Sequence, residues 1–333
     1  MDARITKKRL GHMLSYDWIK IVAIAAALIV VWSLLFTMLA TRASNGQTFY
    51  LYSFYDVSMK GDKVNTLDNL KKHNALSYDI LELNDYTFTD NQYLAQIMAA
   101  YFSAAQGDVL FITDYVPEAE QEKAEEGEEV YTNLQSFASS YYSILAPLKG
   151  EYTNSAGNVV KKNYFETLEG YLNQFYKGED FREGELNIDA VKSAFRTRMK
   201  KDKRFKTEAQ KKKGFEKEIA RIENLRISYL RVEKALELGI ISIKDTKIAE
   251  DIDKDGKISD GEWKTVNCVF DLSGISHITD YVTNSEGGKE GLCMGIFDWS
   301  SQQPDLQYEP ITYLNFLLTE YERDRAGELP DSV

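Results

Sequence analysis

The stretch DIDKDGKISDGE, residues 251–262, carries oxygen-bearing side chains at the spacing of a twelve-residue calcium loop. Calcium is a hard cation that takes about six to eight oxygens, drawn from loop positions 1, 3, 5, 7, 9 and 12. Here those positions are Asp251, Asp253, Asp255, the backbone carbonyl of Lys257, Ser259 (directly or through water) and Glu262. Gly256 stands sixth, where the chain must turn sharply with positive φ, and Ile258 stands eighth, the apolar residue that ties such a loop to its surroundings. Every constrained position is filled, so Ca2+ is the cofactor implied. The competing reading is an acidic surface turn that binds no metal tightly.

The flanks decide what such a metal would do. IKDTKIAE before the loop reads as a poor helix, and the Val, Cys, Val and Phe after it read as a strand. A helix–loop–helix sensor needs two helices that swing apart. A loop set between a helix and a strand is expected to brace the fold instead, at the modest affinity that suffices outside cells.

Little other chemistry is legible. His12, His73 and His277 have no metal-ligand partner three or four residues on, and no H-E-x-x-H occurs. There is no G-x-S-x-G elbow and no G-x-G-x-x-G loop, and SEGGKEG reads as a turn rather than a phosphate loop. Acids are numerous enough, at 52, for close carboxylate pairs to arise by chance, so an anchored hydrolase is the third of three readings. The net charge of −12 argues against nucleic acid as a partner. Cys268 and Cys293 fall in two candidate strands of one region, where a bridge and two buried free thiols are both open.

The elements that would position these residues begin with IVAIAAALIVVWSLLFTMLA, residues 21–40, which contain no charge. A helix of that length spans roughly 30 Å, the hydrocarbon thickness of a bilayer. Arg4, Lys7, Lys8, Arg9 and Lys20 precede it, and after Arg42 no basic residue occurs until Lys60. The positive-inside bias predicts a cytoplasmic tail over 1–20, an uncleaved spanning helix and an extracellular remainder at the cell membrane. A cleaved signal peptide is the rival, but its apolar core would run past the usual length.

Beyond the anchor, TFYLYSFYDV from Thr48 alternates like a strand, a polar helical stretch covers 67–72, and LSYDILELND predicts a strand from Tyr78 to Leu83. Residues 91–105 are expected to be helical, with Leu94, Ile97, Met98, Tyr101 and Phe102 on one face, and GDVLFITD to be a buried parallel strand. This alternation predicts an α/β lobe over 46–117 with right-handed crossovers. A mainly helical lobe follows over 130–245, ending in a long amphipathic helix closed by Gly239. The calcium loop and a C-terminal α/β return segment make up 246–325.

Charge is unevenly spread. Residues 118–129 hold seven Glu against one Lys, read as a solvated surface or a cation-attracting lip, whereas 192–217 hold twelve Lys or Arg against three acids. The basic arm is either the wet face of a helix or a contact for anionic lipid or cell-wall polymer. The 21 Tyr and 16 Phe suit sugar or peptide faces and protein interfaces alike, and most of them must be core.

YLAQIMAAYFSAAQGDVLFITD, at the third strand, resembles the first lobe of extracytoplasmic solute-binding proteins of ABC importers. MGIFDWSSQQPDLQYEPITYLNFLL is similar to that family's return strand and closing helix. The resemblance covers about 46–115 and 290–320. It implies an α/β, periplasmic-binding type II-like ectodomain that presents a ligand to membrane transporter subunits. Members of that family are mostly lipid-anchored or free and carry a second α/β lobe, where this chain is helical and charged. Ligands of open α/β sheets sit beyond the carboxyl ends of the strands. Those ends are expected to carry Tyr55 and Asp56, Asn84 and Asp85, Asp114 and Tyr115, and Trp299 with Ser300. The first reading is therefore capture of a small polar ligand, a saccharide or peptide. The second is a non-transport accessory or scaffold ectodomain of a membrane complex.

Overall fold

A computed structural model of the chain describes residues 11, 18–39, 43–60, 64–117, 121, 130–153, 158–178, 180–200, 202, 204–249, 263–299 and 308–319. The chain falls into two units, Met1–Arg42 and Ala43–Val333. In the first, helix α1 runs Trp18–Leu39, 22 residues. Its window Trp18–Leu35 has a mean hydropathy of 2.4 and no residue buried, so this helix is long and apolar enough to cross a membrane. It begins three residues before the uncharged stretch because Trp18, Ile19 and Lys20 continue the same helix.

The second unit is mixed α/β. Its strands are β1 (Thr48–Ser53), β2 (Val57–Met59), β3 (Glu82–Thr87), β4 (Val109–Thr113), β5 (Tyr152–Thr153), β6 (Val159–Lys161), β7 (Ser242–Ala249), β8 (Trp263–Asp271), β9 (Val282–Asn284) and β10 (Leu292–Ile296). Its helices are α2 (Leu67–Lys72), α3 (Leu94–Ser103), α4 (Asn133–Tyr141), α5 (Tyr164–Leu172), α6 (Ile188–Met199), α7 (Glu208–Glu237) and α8 (Glu309–Leu318). The main sheet has six strands in the order β3-β1-β4-β10-β8-β7. β3, β1 and β4 are parallel, as the alternation of strand and helix predicts, while β10, β8 and β7 join antiparallel.

Side-chain alternation divides the core in two. On one face Phe49 and Leu51 of β1 and Val109 and Phe111 of β4 meet Phe270 and Met294, under α5, α7 and α8. On the other, Tyr50, Tyr52, Leu110 and Ile112 meet Phe102, Phe137, Phe297 and Trp299, under α3 and α4. A sheet covered on both faces reads as an apolar run, which is why β1 and β4 are buried at every position. Each such fully buried side chain stabilises the fold by about 1.5–3 kcal/mol relative to an exposed one. The aromatic excess is absorbed here: Tyr52 alone lies within 6.5 Å of Tyr50, Phe88, Tyr101, Phe102 and Phe297.

Two expected elements are corrected. The second strand starts at Glu82, not Tyr78. Residues 78–80 are occupied otherwise: the Tyr78 hydroxyl donates to Glu218 at 2.8 Å, Asp79 pairs with Arg198 and Arg204, and Ile80 is core. The segment before the calcium loop is strand β7 rather than a helix, and it pairs with β8 from Ser242↔Asp271 to Ala249↔Trp263. Its alternation of Thr246 and Ile248, buried, with Asp245 and Lys247, exposed, is that of an edge strand. The register shifts between Lys244 and Thr246, and β3 forms the opposite edge.

Candidate functional site

The site is built where β1 and β4 end. The Phe54 N–H donates to Phe111 O at 2.8 Å, extending the ladder one step past β1, and the Val57 N–H closes onto Phe54 O at 2.9 Å. That tight turn sets Tyr55 and Asp56 beside Thr113, the last residue of β4. Helix α4 starts beside this strand end, its first turn fixed by a capping box: the Thr132 hydroxyl accepts from Gln135 N–H while Gln135 accepts from Thr132 N–H. The Asn133 N–H donates to Tyr115 O at 2.8 Å, which locks the helix start to the strand end.

The side chains then satisfy one another. Thr113 donates its hydroxyl hydrogen to Asp56 Oδ2, which also accepts from Asn133 Nδ2 at 2.5 Å. The Tyr55 hydroxyl donates to Asn133 Oδ1 at 2.6 Å. Asp114 Oδ1 accepts from the Thr132 hydroxyl at 2.6 Å, and its Oδ2 pairs with Lys244 Nζ at 2.6 Å. Tyr115 accepts at its hydroxyl from Asn284 Nδ2 at 3.2 Å. Its ring lies against Gly291, where φ is +64° and a Cβ would sit 3.0 Å from the ring, so only glycine fits.

Burial dominates the electrostatics. It lifts the Asp56 carboxyl above its ordinary value, against the hydrogen bonds from Thr113 and Asn133 that favour the charged form. Burial also pushes the Tyr55 hydroxyl up to about 12, with Asp56 adding to the shift. For Lys244, burial works downward but the bond to Asp114 prevails and holds the ammonium above its usual range. One atom remains unspent: Asp56 Oδ1 is buried and has no hydrogen-bond partner among the described residues.

Of the residues expected at the strand ends, Tyr55, Asp56, Asp114 and Tyr115 come together. Asp85 does not. It is exposed in the body of β3, opposite Leu51, because that strand starts later than its sequence suggests, and Thr87 takes the end position against Ser53 at 2.7 Å. Asn84 lies in the same strand, opposite Tyr50. Trp299 is also elsewhere. β10 runs antiparallel to β4, so the chain leaves it at the amino ends of β1 and β4, where Trp299 stacks on Phe297 and donates Nε1–H to Gly107 O at 2.8 Å. Compared with family models, with curated proteins and with solved structures, the chain matches none.

The calcium ligands Asp251, Asp253, Asp255, Lys257, Ser259 and Glu262 lie outside the described residues, as does Ser300. What is described is their mounting. Ala249 and Trp263, which bracket the loop, face each other across a strand pair, and Trp263 stacks on Tyr131 at 5.9 Å and 26°. Both cysteines are buried free thiols, pushed upward by burial.

Asn133, Thr132, Thr113, Lys244 and Asn284 were not legible as site residues. The capping box T-N-L-Q was there to be read as a helix start, but nothing local ties Lys244 to an aspartate 130 positions earlier in the chain.

Proposed function

We propose that this chain is a single-pass membrane protein whose second unit is an extracellular accessory or scaffold module, braced by calcium at residues 251–262. The observation that carries this reading is the internal satisfaction of the strand-end cluster. Tyr55 and Asp56 both bond Asn133, Thr113 bonds Asp56, and Thr132 and Lys244 both bond Asp114. Polar groups already paired gain little by exchanging one partner for another. The anchor rests on the length and apolarity of α1 and on the basic residues before it. The brace rests on the filled ligand positions and on flanking described residues that are paired strands, where a sensor of this kind would carry helices.

A second reading, capture of a saccharide or peptide for membrane transporter subunits, is favoured by Asp56 Oδ1, a buried acceptor that a ligand hydroxyl or ammonium would satisfy. The parallel β3-β1-β4 order flanked by antiparallel β10 is in keeping with a lobe of the solute-binding kind. The two readings separate in one experiment. The melting temperature of the full chain in phosphatidylcholine nanodiscs is measured with a panel of sugars and peptides, in calcium and in chelator. The accessory reading expects a calcium shift and no ligand shift. A ligand that raises the midpoint, with Asp56→Ala abolishing the rise, would replace it with the capture reading.

A further inference from the structure

Within the basic stretch 192–217, the end of α6 and the start of α7, with Lys200, Asp202, Phe205 and Lys206 between them, border an open pocket of about 470 Å³. That volume is within the range of small-ligand sites, about 300–1,000 Å³. Met199 and Phe205 form an apolar floor, and Arg196, Lys200, Lys206 and Lys211 supply four cations around it.

The one acid in the lining is already taken. Arg204 Nε donates to both oxygens of Asp202 at 3.0 and 2.9 Å, Nη2 adds a bond at 2.6 Å, and the Arg204 N–H adds another at 2.8 Å. Burial opposes the charge of Asp202, yet these bonds hold its carboxyl below the usual range. Lys211 meets Glu208 at 2.7 Å, on a carboxylate that is 89% exposed. Arg196, Lys200 and Lys206 pair with no carboxylate among the described residues, whereas neighbouring Arg198 is turned inward onto Asp79 and Glu218.

The floor is fixed rather than collapsible. Phe205 packs edge-on against Phe195 at 5.3 Å with the Arg204 guanidinium 5.3 Å over its ring. Gly214 of α7 makes room for this: a Cβ there would lie 2.4 Å from Phe205 Cε1 and 2.7 Å from Phe195 Cζ.

We propose that this pocket binds a phosphate ester, its oxyanion held by Arg196, Lys200, Lys206 and Lys211 and its carbon skeleton lying on Met199 and Phe205. Like charges crowded around one concavity repel each other, and a multiply charged oxyanion offsets several of them at once. The guanidinium fork matches phosphate geometry, and the ammonium groups act as point charges beside it. A glycerophosphate group occurs free as a doubly charged monoester and, as a singly charged diester that a membrane surface presents in many copies, in phosphatidylglycerol, so the two sources need separate arms. The inference does not depend on either reading of the strand-end cluster.

The test uses the full chain in phosphatidylcholine nanodiscs, titrated with glycerol 3-phosphate by calorimetry at low salt. In a second arm, binding of the same nanodiscs to vesicles holding about one-third phosphatidylglycerol is followed by flotation. Saturable binding in either arm is expected, weakening as salt screens the charges, and falling at least tenfold in Lys200→Gln/Lys206→Gln with the melting temperature unchanged. Arg196→Glu, a reversal on an exposed side chain, is expected to abolish it. Binding in the first arm assigns a free ester, and binding in the vesicle arm alone assigns a headgroup. No saturable binding in either arm, binding no tighter than that of succinate, or binding unaltered by both variants would overturn the proposal.

Discussion

At the carboxyl ends of β1 and β4, carboxylates, amides and hydroxyls are drawn inward until nearly every oxygen has a partner. In the α6–α7 pocket most of the polar groups are cations at the surface; Lys211 meets Glu208, and the one acid of the lining, Asp202, is held by Arg204. The first arrangement is the usual price of burial, since a polar group removed from water must find its bonds within the protein. The second is what solvent permits, because water and salt stabilise unpaired surface charge. A strand end in an α/β sheet is the customary place to look for a ligand, yet here it leaves one buried acceptor, Asp56 Oδ1, while cations without a carboxylate partner among the described residues gather around the α6–α7 pocket.

The sharpest way to break this contrast is Asn133→Ala, which strips Asp56 of one donor and Tyr55 of its acceptor in a buried place. A loss of about 2–4 kcal/mol is expected in urea unfolding. A loss under about 0.5 kcal/mol would mean the cluster is not the structural lock described. Next in size is calcium. At a hundredfold excess over its Kd, a metal bound only to the folded form adds about 2.7 kcal/mol. Chelator is therefore expected to lower the melting midpoint of the wild type and to leave that of Asp251→Asn/Asp255→Asn unchanged; an equal shift in both would place the metal elsewhere.

Gly214→Ala comes third. Alanine gains about 1 kcal/mol of helix propensity, but the overlap with Phe205 and Phe195 costs about 1–3 kcal/mol of overpacking. A net loss of about 1 kcal/mol is expected from the denaturation midpoint, and a gain in stability would show that the aromatic floor gives way.

The pH dependence of Asp56 sharpens the comparison further. Its folded carboxyl is raised, so the folded state keeps its proton when the unfolded chain, near pH 3.9, has begun to lose it. The favourable contribution is complete below that value and is lost as pH rises through the folded value. Asp56→Asn is therefore expected to gain stability relative to wild type between pH 4 and pH 7, read as the difference in urea midpoints. A constant difference would show that burial does not govern this carboxyl. The smallest effect belongs to the pocket, where Lys206→Gln alone is expected to move stability by no more than about 0.5 kcal/mol.

Local patterning carried much of this fold. β1, β4, α2 and the long α7 with Gly239 behind it follow directly from periodicity and capping, because their partners reinforce what the sequence prefers. What was illegible depended on distant partners. Residues 78–80 read as strand, but Tyr78 and Asp79 are claimed by Arg198 of α6, Glu218 of α7 and Arg204 between those helices, all more than a hundred residues away. Trp299 read as a strand-end aromatic, yet the antiparallel entry of β10 reverses its position, and strand direction is set by sheet assembly rather than by any residue in β10. Likewise Asp114 carried its chemistry in plain sight, but the lysine that spends it arrives on β7.

The two edges of the sheet hold a further consequence. An unprotected sheet edge offers a second chain a ready template for a continuing ladder. β3 presents Glu82 and Asp85 to solvent, and β7 breaks its own register between Lys244 and Thr246. Charge on one edge and a register shift on the other are features that disfavour extension of a sheet by a neighbour. Asp85, exposed on the β3 edge, therefore has a structural reading that needs no ligand.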